Sequence, residues 1–133
     1  MKFPRRSAWI CTCALLAASS PSAVHAQAGT PTCFGQNATI VGTGGSDTLE
    51  GTKGRDVIVA FGGSDVVIGK GGNDLICLGA GDDRTKSGPG NDRVNGGSGD
   101  DEIEGGPGDD RLSGGGGSDL IFAGSKTNVL GTL

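Results

Sequence analysis

The sequence contains no tyrosine, one tryptophan, four phenylalanines and one histidine in 133 residues. With aromatic residues at 4% of the chain, it lacks the large side chains that fill an ordinary globular core. It has only five prolines and no sustained Gly-X-Y triplets, which excludes a collagen helix. Glycine is abundant instead, at 28 residues. This composition indicates either a disordered chain or a short-period repeat, so the periodicity must decide.

The N-terminal segment has the composition of a secretory signal peptide. Three basic residues precede an apolar run over 8–18 that is too short to span a bilayer. Small residues follow at Val24 and Ala26, the two positions that a signal peptidase reads. We therefore expect residues 1–26 to be removed, the protein to be secreted into the extracellular space, and no transmembrane segment to be present.

The rest of the chain is strongly acidic. Residues 27–133 carry eight basic and 15 acidic residues, a net charge of −7. An acidic chain does not suit nucleic acid, whose phosphates need a basic face. The only histidine, His25, lies in the predicted signal peptide, which excludes His-based catalytic triads and zinc-protease motifs from the remainder. Cations are therefore the expected partners.

Aspartate recurs every nine residues without a miss, and three sequence columns stay in phase over 81 residues. A glycine lies two positions before each of these aspartates, and an apolar residue lies two positions after eight of the nine. Low-complexity disorder would not keep such columns in phase, so the period indicates a solenoid. The nine aspartates are Asp47, Asp56, Asp65, Asp74, Asp83, Asp92, Asp101, Asp110 and Asp119.

Each nine-residue unit predicts a six-residue turn that ends in aspartate, followed by a three-residue strand whose middle side chain points inward. Glycine suits the turn because it adopts positive φ and permits a close approach of the backbone to an ion. A strand this short is stable only when it stacks on its neighbours. The predicted inward residues are Leu49, Ile58, Val67, Ile76, Thr85, Val94, Ile103, Leu112 and Ile121.

The pattern resembles the hemolysin-type calcium-binding repeats, or RTX nonapeptides, whose consensus is G-G-x-G-x-D-x-U-x. The closest matches are residues 96–104 and 105–113, and the resemblance covers about three quarters of the chain after residue 26. It implies an all-β fold, a right-handed parallel β-roll in which two nonapeptides form one coil and calcium lies between stacked turns. The predicted organisation is a signal peptide at 1–26, an N-terminal cap at 27–41, a roll of about four and a half coils at 42–122 and a C-terminal cap at 123–133.

Two repeats per coil place same-side neighbours 18 residues apart, so the nine aspartates form a column of five and a column of four. The resemblance makes all nine candidate calcium ligands, with four and three spaces between same-side turns and hence at most about seven ions. Oxygen ligands without histidine or cysteine favour Ca²⁺, and flexible glycine turns suit it better than Mg²⁺. Stacked carboxylates repel one another, so we expect the chain to fold only with calcium.

Seven ions would also change the net charge of residues 27–133 from −7 to +7. This reversal indicates either fewer tight sites or a contribution from the neighbouring carboxylates Asp82, Asp100 and Asp109. The repeats are unequal as well, because Gly-Gly opens only the last three. We therefore expect the strongest sites in the C-terminal half, from Asp92 to Asp119, and weaker sites in the repeats that begin at Ala60 and Leu78.

Two cysteines lie after the predicted signal peptide, at Cys33 and Cys77. In an oxidising compartment such a pair most simply forms a disulfide, here one that ties the N-terminal segment to the roll. Two free thiols are the alternative.

No enzyme is predicted. The carboxylate pairs such as Asp82-Asp83 and Asp100-Asp101 each contain a column aspartate, and nothing indicates the separation or the dry cleft of a glycosidase. The predicted function is a secreted calcium-binding protein that folds on the ion. The alternative is a calcium-dependent adhesion module that binds a polysaccharide, a partner cell or ice. The third repeat positions are Gly, Lys, Gly, Gly, Ala, Pro, Ser, Pro and Gly, so the flat threonine row of an ice-binding roll is missing.

Overall fold

The computed structural model describes residues 29–124 and 128–129. The chain divides into two units, Met1–Thr30 and Pro31–Leu133, and all the described strands belong to the second. The signal peptide predicted for residues 1–26 lies outside the described residues.

The described part of the chain is all-β, as predicted. Short strands follow one another with turns between them, and no helix is present in this part, so none is available there to cross a membrane. The strands are β1 (Thr32–Cys33), β2 (Gln36–Asn37), β3 (Ile40–Val41), β4 (Thr48–Glu50), β5 (Val57–Gly62), β6 (Val66–Ile68), β7 (Leu75–Ala80), β8 (Arg84–Lys86), β9 (Arg93–Ser98), β10 (Glu102–Glu104), β11 (Arg111–Gly116), β12 (Leu120–Phe122) and β13 (Asn128–Val129).

Two parallel sheets make a β-solenoid of about five turns, which confirms the predicted β-roll. The short-strand sheet has the order β12-β10-β8-β6-β4, and the long-strand sheet has the order β13-β11-β9-β7-β5-β3. Successive strands of one sheet pair at an offset of 18 residues, as Val57 does with Leu75 and Leu75 with Arg93. Because consecutive strands alternate between the sheets, each coil consists of two nonapeptides, also as predicted.

The strand lengths differ from the expectation of three residues in every repeat. The short-strand sheet has such strands, but β5, β7, β9 and β11 each contain six residues. On that side the pairing continues into the first residues of the next repeat, for example from Phe61 to Gly79 and from Gly97 to Gly115. The first residues of these repeats, including Ala60 and Leu78, are buried. The start of the turn on this side is therefore also a part of the core.

The core lies between the two sheets and contains the residues that the period assigns to it. Its buried members are Ile58, Ala60, Val67, Ile76, Leu78, Val94, Ile103 and Leu112, with Ile40, Leu49 and Ile121 packed at its ends. Thr85 takes a core position too, since its side chain is 1% exposed and its hydroxyl donates to the Val67 carbonyl at 3.2 Å. The hydrogen bond explains how the polar residue fits the apolar column.

A hairpin formed by β1 and β2 covers part of the outer face of the long-strand sheet. Cys33 packs there against Val57 and Val59, and a disulfide joins it to Cys77 of β7. The Arg93 guanidinium lies 3.9 Å above the ring centre of Phe34, the residue after Cys33. The predicted disulfide is thus present. The capping role predicted for residues 27–41 stays a prediction, as does that of residues 123–133, most of which the structure does not describe.

The glycine turns allow the coils to stack closely. Gly90 and Gly108 hold the same place in successive coils, with φ of 147° and 148°. A Cβ on Gly108 would overlap the carbonyl oxygen of Gly90. Both the backbone conformation and the stacking distance therefore require glycine at this position.

We predict that Gly108→Ala strongly destabilises the calcium-loaded roll. The unfavourable φ alone costs about 1–3 kcal/mol, and the overlap with Gly90 adds to it. The measurement is the melting temperature in saturating calcium. Gly116→Ala is the matched control because Gly116 lacks a positive φ and a Cβ there would meet no atom within 4 Å. Equal melting temperatures for the two variants would contradict this account of the turn.

Candidate metal centre between the coils

The nine predicted aspartates form two columns along the turns, and all but the first member of each column link their coil to the one before. The backbone N–H of one aspartate donates to Oδ1 of the aspartate 18 residues later. The seven hydrogen bonds of this kind measure 2.8–3.1 Å, and their acceptors are Asp65, Asp74, Asp83, Asp92, Asp101, Asp110 and Asp119. The carboxylates therefore lie at the interfaces between coils, where the resemblance to the RTX repeats predicts them.

The second carboxylate oxygen of most column members is buried without a hydrogen-bond partner. In the described part of the chain these Oδ2 atoms belong to Asp65, Asp74, Asp83, Asp92, Asp101 and Asp119. The first five of these residues are at most 2% exposed. Buried polar atoms are normally satisfied, so a row of orphaned oxygens at equivalent places indicates a missing positive partner.

Asp47 and Asp56, the first members of the two columns, have a different environment. Oδ2 of Asp47 accepts hydrogen bonds from the Thr43 backbone N–H at 2.6 Å and from the Thr43 hydroxyl at 2.9 Å. Oδ2 of Asp56 accepts the equivalent pair from Thr52, at 2.6 and 3.0 Å. The periodicity of aspartate alone did not distinguish these two aspartates from the other seven. The sequence feature that could have distinguished them is the threonine at the second position of their repeats.

The space beside the orphaned oxygens is lined by backbone. A Cβ on Gly69, the first residue of its repeat, would lie 2.7 Å from Asp74 Oδ2 and would overlap the Ser87 carbonyl oxygen. In the described residues no cluster of three or more His, Cys, Asp or Glu side chains is available to hold a metal. A cation here would therefore be bound by column carboxylates together with carbonyl oxygens. Such an all-oxygen set suits a hard cation with flexible coordination, which is Ca²⁺.

The carboxylates that precede the columns form a second ladder on the exposed side of the turns. The Asp100 backbone N–H donates to Asp82 Oδ1 at 2.9 Å, and the Ser118 N–H donates to Asp100 Oδ1 at 2.8 Å. The Asp109 N–H donates to the Asn91 side-chain oxygen at 2.9 Å. These side chains are exposed and support coil stacking. Their predicted contribution to a metal site stays a prediction.

Burial changes the acidity of the column carboxyls. It raises the pKa of Asp92 to about 7 and that of Asp101 to about 6. The hydrogen bond from the preceding column N–H lowers the pKa in each case, and the charges of the adjacent column carboxylates raise it again. Burial likewise raises the pKa of Asp74 and Asp83. Without a cation, these buried groups therefore bind protons far more readily than an exposed aspartate does.

We predict that the calcium-free protein is more ordered at about pH 4.5 than at about pH 7.5. The Asp92 and Asp101 carboxyls titrate near 3.8 when unfolded and at about 7 and about 6 when folded. Between these values the unfolded chain binds fewer protons, so stability falls as the pH rises. Circular dichroism in chelator measures the β-sheet signal. Saturating calcium should restore the signal at the higher pH, and a chelated protein equally ordered at both values would contradict the prediction.

Comparison with known proteins agrees with the geometry. The model of a family described as the RTX calcium-binding nonapeptide repeat (4 copies) matches residues 41–76, 63–94, 87–121 and 95–129. No curated protein and no solved structure matches the chain. The matched segments overlap, span most of the chain and include every aspartate of both columns. The chain therefore belongs to the family of RTX calcium-binding nonapeptide repeats.

Proposed function

We propose that this protein is secreted and binds several calcium ions between the stacked turns of its β-roll, and that binding drives its folding. The observation that carries the proposal is the set of six buried, partnerless Oδ2 atoms in the described part of the chain, which belong to Asp65, Asp74, Asp83, Asp92, Asp101 and Asp119. Leaving one buried polar group unsatisfied costs about 1–3 kcal/mol, and more when the group is charged. A divalent cation between two turns removes this cost at the same point in coil after coil.

Repulsion between the carboxylates supports the same proposal. Coils stack at roughly the 4.8 Å spacing of a sheet, so neighbouring column carboxylates lie close together. Two unit charges about 5 Å apart repel by about 3 kcal/mol at an effective dielectric constant of about 20. Residues 27–133 have a net charge of −7, so other parts of the chain do not supply the missing positive charge. Calcium ions would neutralise the columns and stabilise only the folded chain.

The disulfide supports a destination outside the cytoplasm. Cys33 and Cys77 are joined, and such bonds persist in oxidising compartments. The sequence before residue 27 has the features of a secretory signal peptide. We therefore propose an extracellular protein whose role is calcium binding rather than catalysis, and whose final folding follows export to a calcium-rich medium.

The first experiment is a calcium titration followed by circular dichroism at neutral pH. We expect little β-sheet signal in chelator and a cooperative increase as calcium is added, because the ion binds only stacked turns. Magnesium at the same concentration is the control and should leave the chain largely unordered, since it demands a tighter octahedral site. A fully ordered protein in chelator at neutral pH would contradict the proposal.

A second prediction concerns the ranking of the sites. Asp101 and Asp65 belong to the same column, but the repeat of Asp101 opens with Gly96 whereas that of Asp65 opens with Ala60. A Cβ on Gly96 would contact Asp101 Oδ2, so the glycine leaves room for an ion that the Ala60 side chain restricts.

We expect Asp101→Ala to raise the calcium concentration at the folding midpoint on the order of tenfold, equivalent to about 1.4 kcal/mol, and Asp65→Ala to raise it less. The two variants are matched because each removes one inter-coil hydrogen bond of the same type. The midpoint of the calcium titration is the measurement. A larger increase for Asp65→Ala would reverse the proposed ranking.

A further inference from the structure

We infer that Thr43 and Thr52 close the first turn on each side of the roll, in the place where later turns bind calcium. The inference rests on the proposed calcium sites and states which turns lack them. Each threonine directs two donors, its backbone N–H and its hydroxyl, at Oδ2 of the aspartate four residues later. In later turns the equivalent oxygen is buried without a partner at six positions. The two hydrogen bonds supply the positive partner that the cation supplies elsewhere.

The backbone of these two turns also differs from that of the others. In all seven later turns the second and fourth residues have positive φ, as in Phe61 at 81° and Gly63 at 107°. Thr43 and Thr52 have no positive φ, and neither do the fourth residues of their repeats. The threonine hydroxyls hold this conformation, since that of Thr43 accepts the N–H of Gly45 at 3.2 Å and that of Thr52 accepts the N–H two residues later at 3.1 Å. These are threonine-closed turns, and the other seven are open turns.

The open turns direct a carbonyl oxygen at the following turn of the same column. A Cβ on Gly79 would overlap the Phe61 carbonyl oxygen, and a Cβ on Gly88 would overlap that of Lys70. The same overlap occurs at every later second position within the repeats, namely Gly97, Gly106 and Gly115. Each open turn therefore presents this oxygen to the space above it, and the next turn must have glycine there.

Side chains at the second position of an open turn occur only directly above the threonine-closed turns. These are Phe61 and Lys70, which take positive φ without being glycine. A Cβ on Gly63 would approach the carbonyl carbon of Gly45 more closely than its oxygen, unlike the glycines above open turns. The carbonyl group of the fourth residue is thus oriented differently in a threonine-closed turn and in an open turn.

In the two spaces above the threonine-closed turns, the lower aspartate is already satisfied by threonine donors. The Thr43 and Thr52 carbonyl oxygens are also occupied, since they accept the backbone N–H groups of Gly62 and Gly71 at 3.4 and 3.2 Å. Of the seven spaces between same-side turns, those between Asp47 and Asp65 and between Asp56 and Asp74 bind no calcium. The remaining five spaces bind one ion each. Thr43 and Thr52 thus act as built-in ends for the two columns of ions.

The test is the number of calcium ions bound by the full chain at saturation, measured by equilibrium dialysis and isothermal titration calorimetry. We expect five for the natural chain. Replacing both threonines by glycine (Thr43→Gly with Thr52→Gly) restores the Gly-Gly start of the C-terminal repeats and should raise the number to seven. Thr48→Gly is the control, because it makes the same type of substitution on the exposed strand β4, and it should leave five ions bound. Seven ions on the natural chain would overturn the inference and leave the proposed function intact.

Conservative aspartate variants keep the test decisive if the glycine variants fold poorly. Asp47→Asn should leave the number of ions unchanged, because an amide oxygen still accepts from Thr43. Asp65→Asn, one coil later in the same column, should lower the number by one. Loss of an ion on Asp47→Asn would contradict the inference alone. Absence of calcium binding by every variant and by the natural chain would instead contradict the proposed function.

Discussion

The structure depends on a carboxylate that each coil buries against the coil before it. One oxygen accepts a backbone N–H and holds the coils 18 residues apart in register, while the other faces the interior of the turn. A group of this kind cannot be buried as an isolated charge, so a positive partner has to be supplied. Three partners can satisfy this oxygen: threonine donors in the first turns, a proton where burial has raised the pKa, and, in the proposed function, a cation in the open turns.

The relative contributions of side-chain packing and of the glycine-aspartate turns to stability change along the roll. Near its N-terminal end the disulfide, the hairpin and the core residues Ala60 and Leu78 add apolar contacts. Near its C-terminal end the equivalent core positions are Gly96 and Gly114, which add no side chain to the core but leave room beside the Oδ2 atoms. We therefore expect the C-terminal coils to depend more on the proposed ion, and the N-terminal coils more on packing. Calcium-dependent order is thus expected to be greatest where the Gly-Gly repeats lie.

The nine-residue period predicted a solenoid and the inward positions from Leu49 to Ile121, because stacking leaves one side chain per strand pointing inward, and its resemblance to the RTX repeats added the β-roll and the two aspartate columns. It did not predict the six-residue strands, since whether Ala60 and Leu78 belong to a turn or to the core depends on how the two sides of a coil bend. The role of Thr43 could likewise be identified only from the structure. Whether a hydroxyl reaches a carboxylate four residues away depends on a φ that sequence spacing does not determine.

The most direct test of the account is a crystal structure of the calcium-loaded protein with anomalous diffraction from the bound ions. We predict anomalous peaks between same-side open turns, within coordination distance of the Oδ2 atoms of residues such as Asp92 and Asp101, and no peak in the turns closed by Thr43 and Thr52. The contradicting result is a folded roll whose buried Oδ2 atoms contact only water or protein donors, with no calcium between the coils.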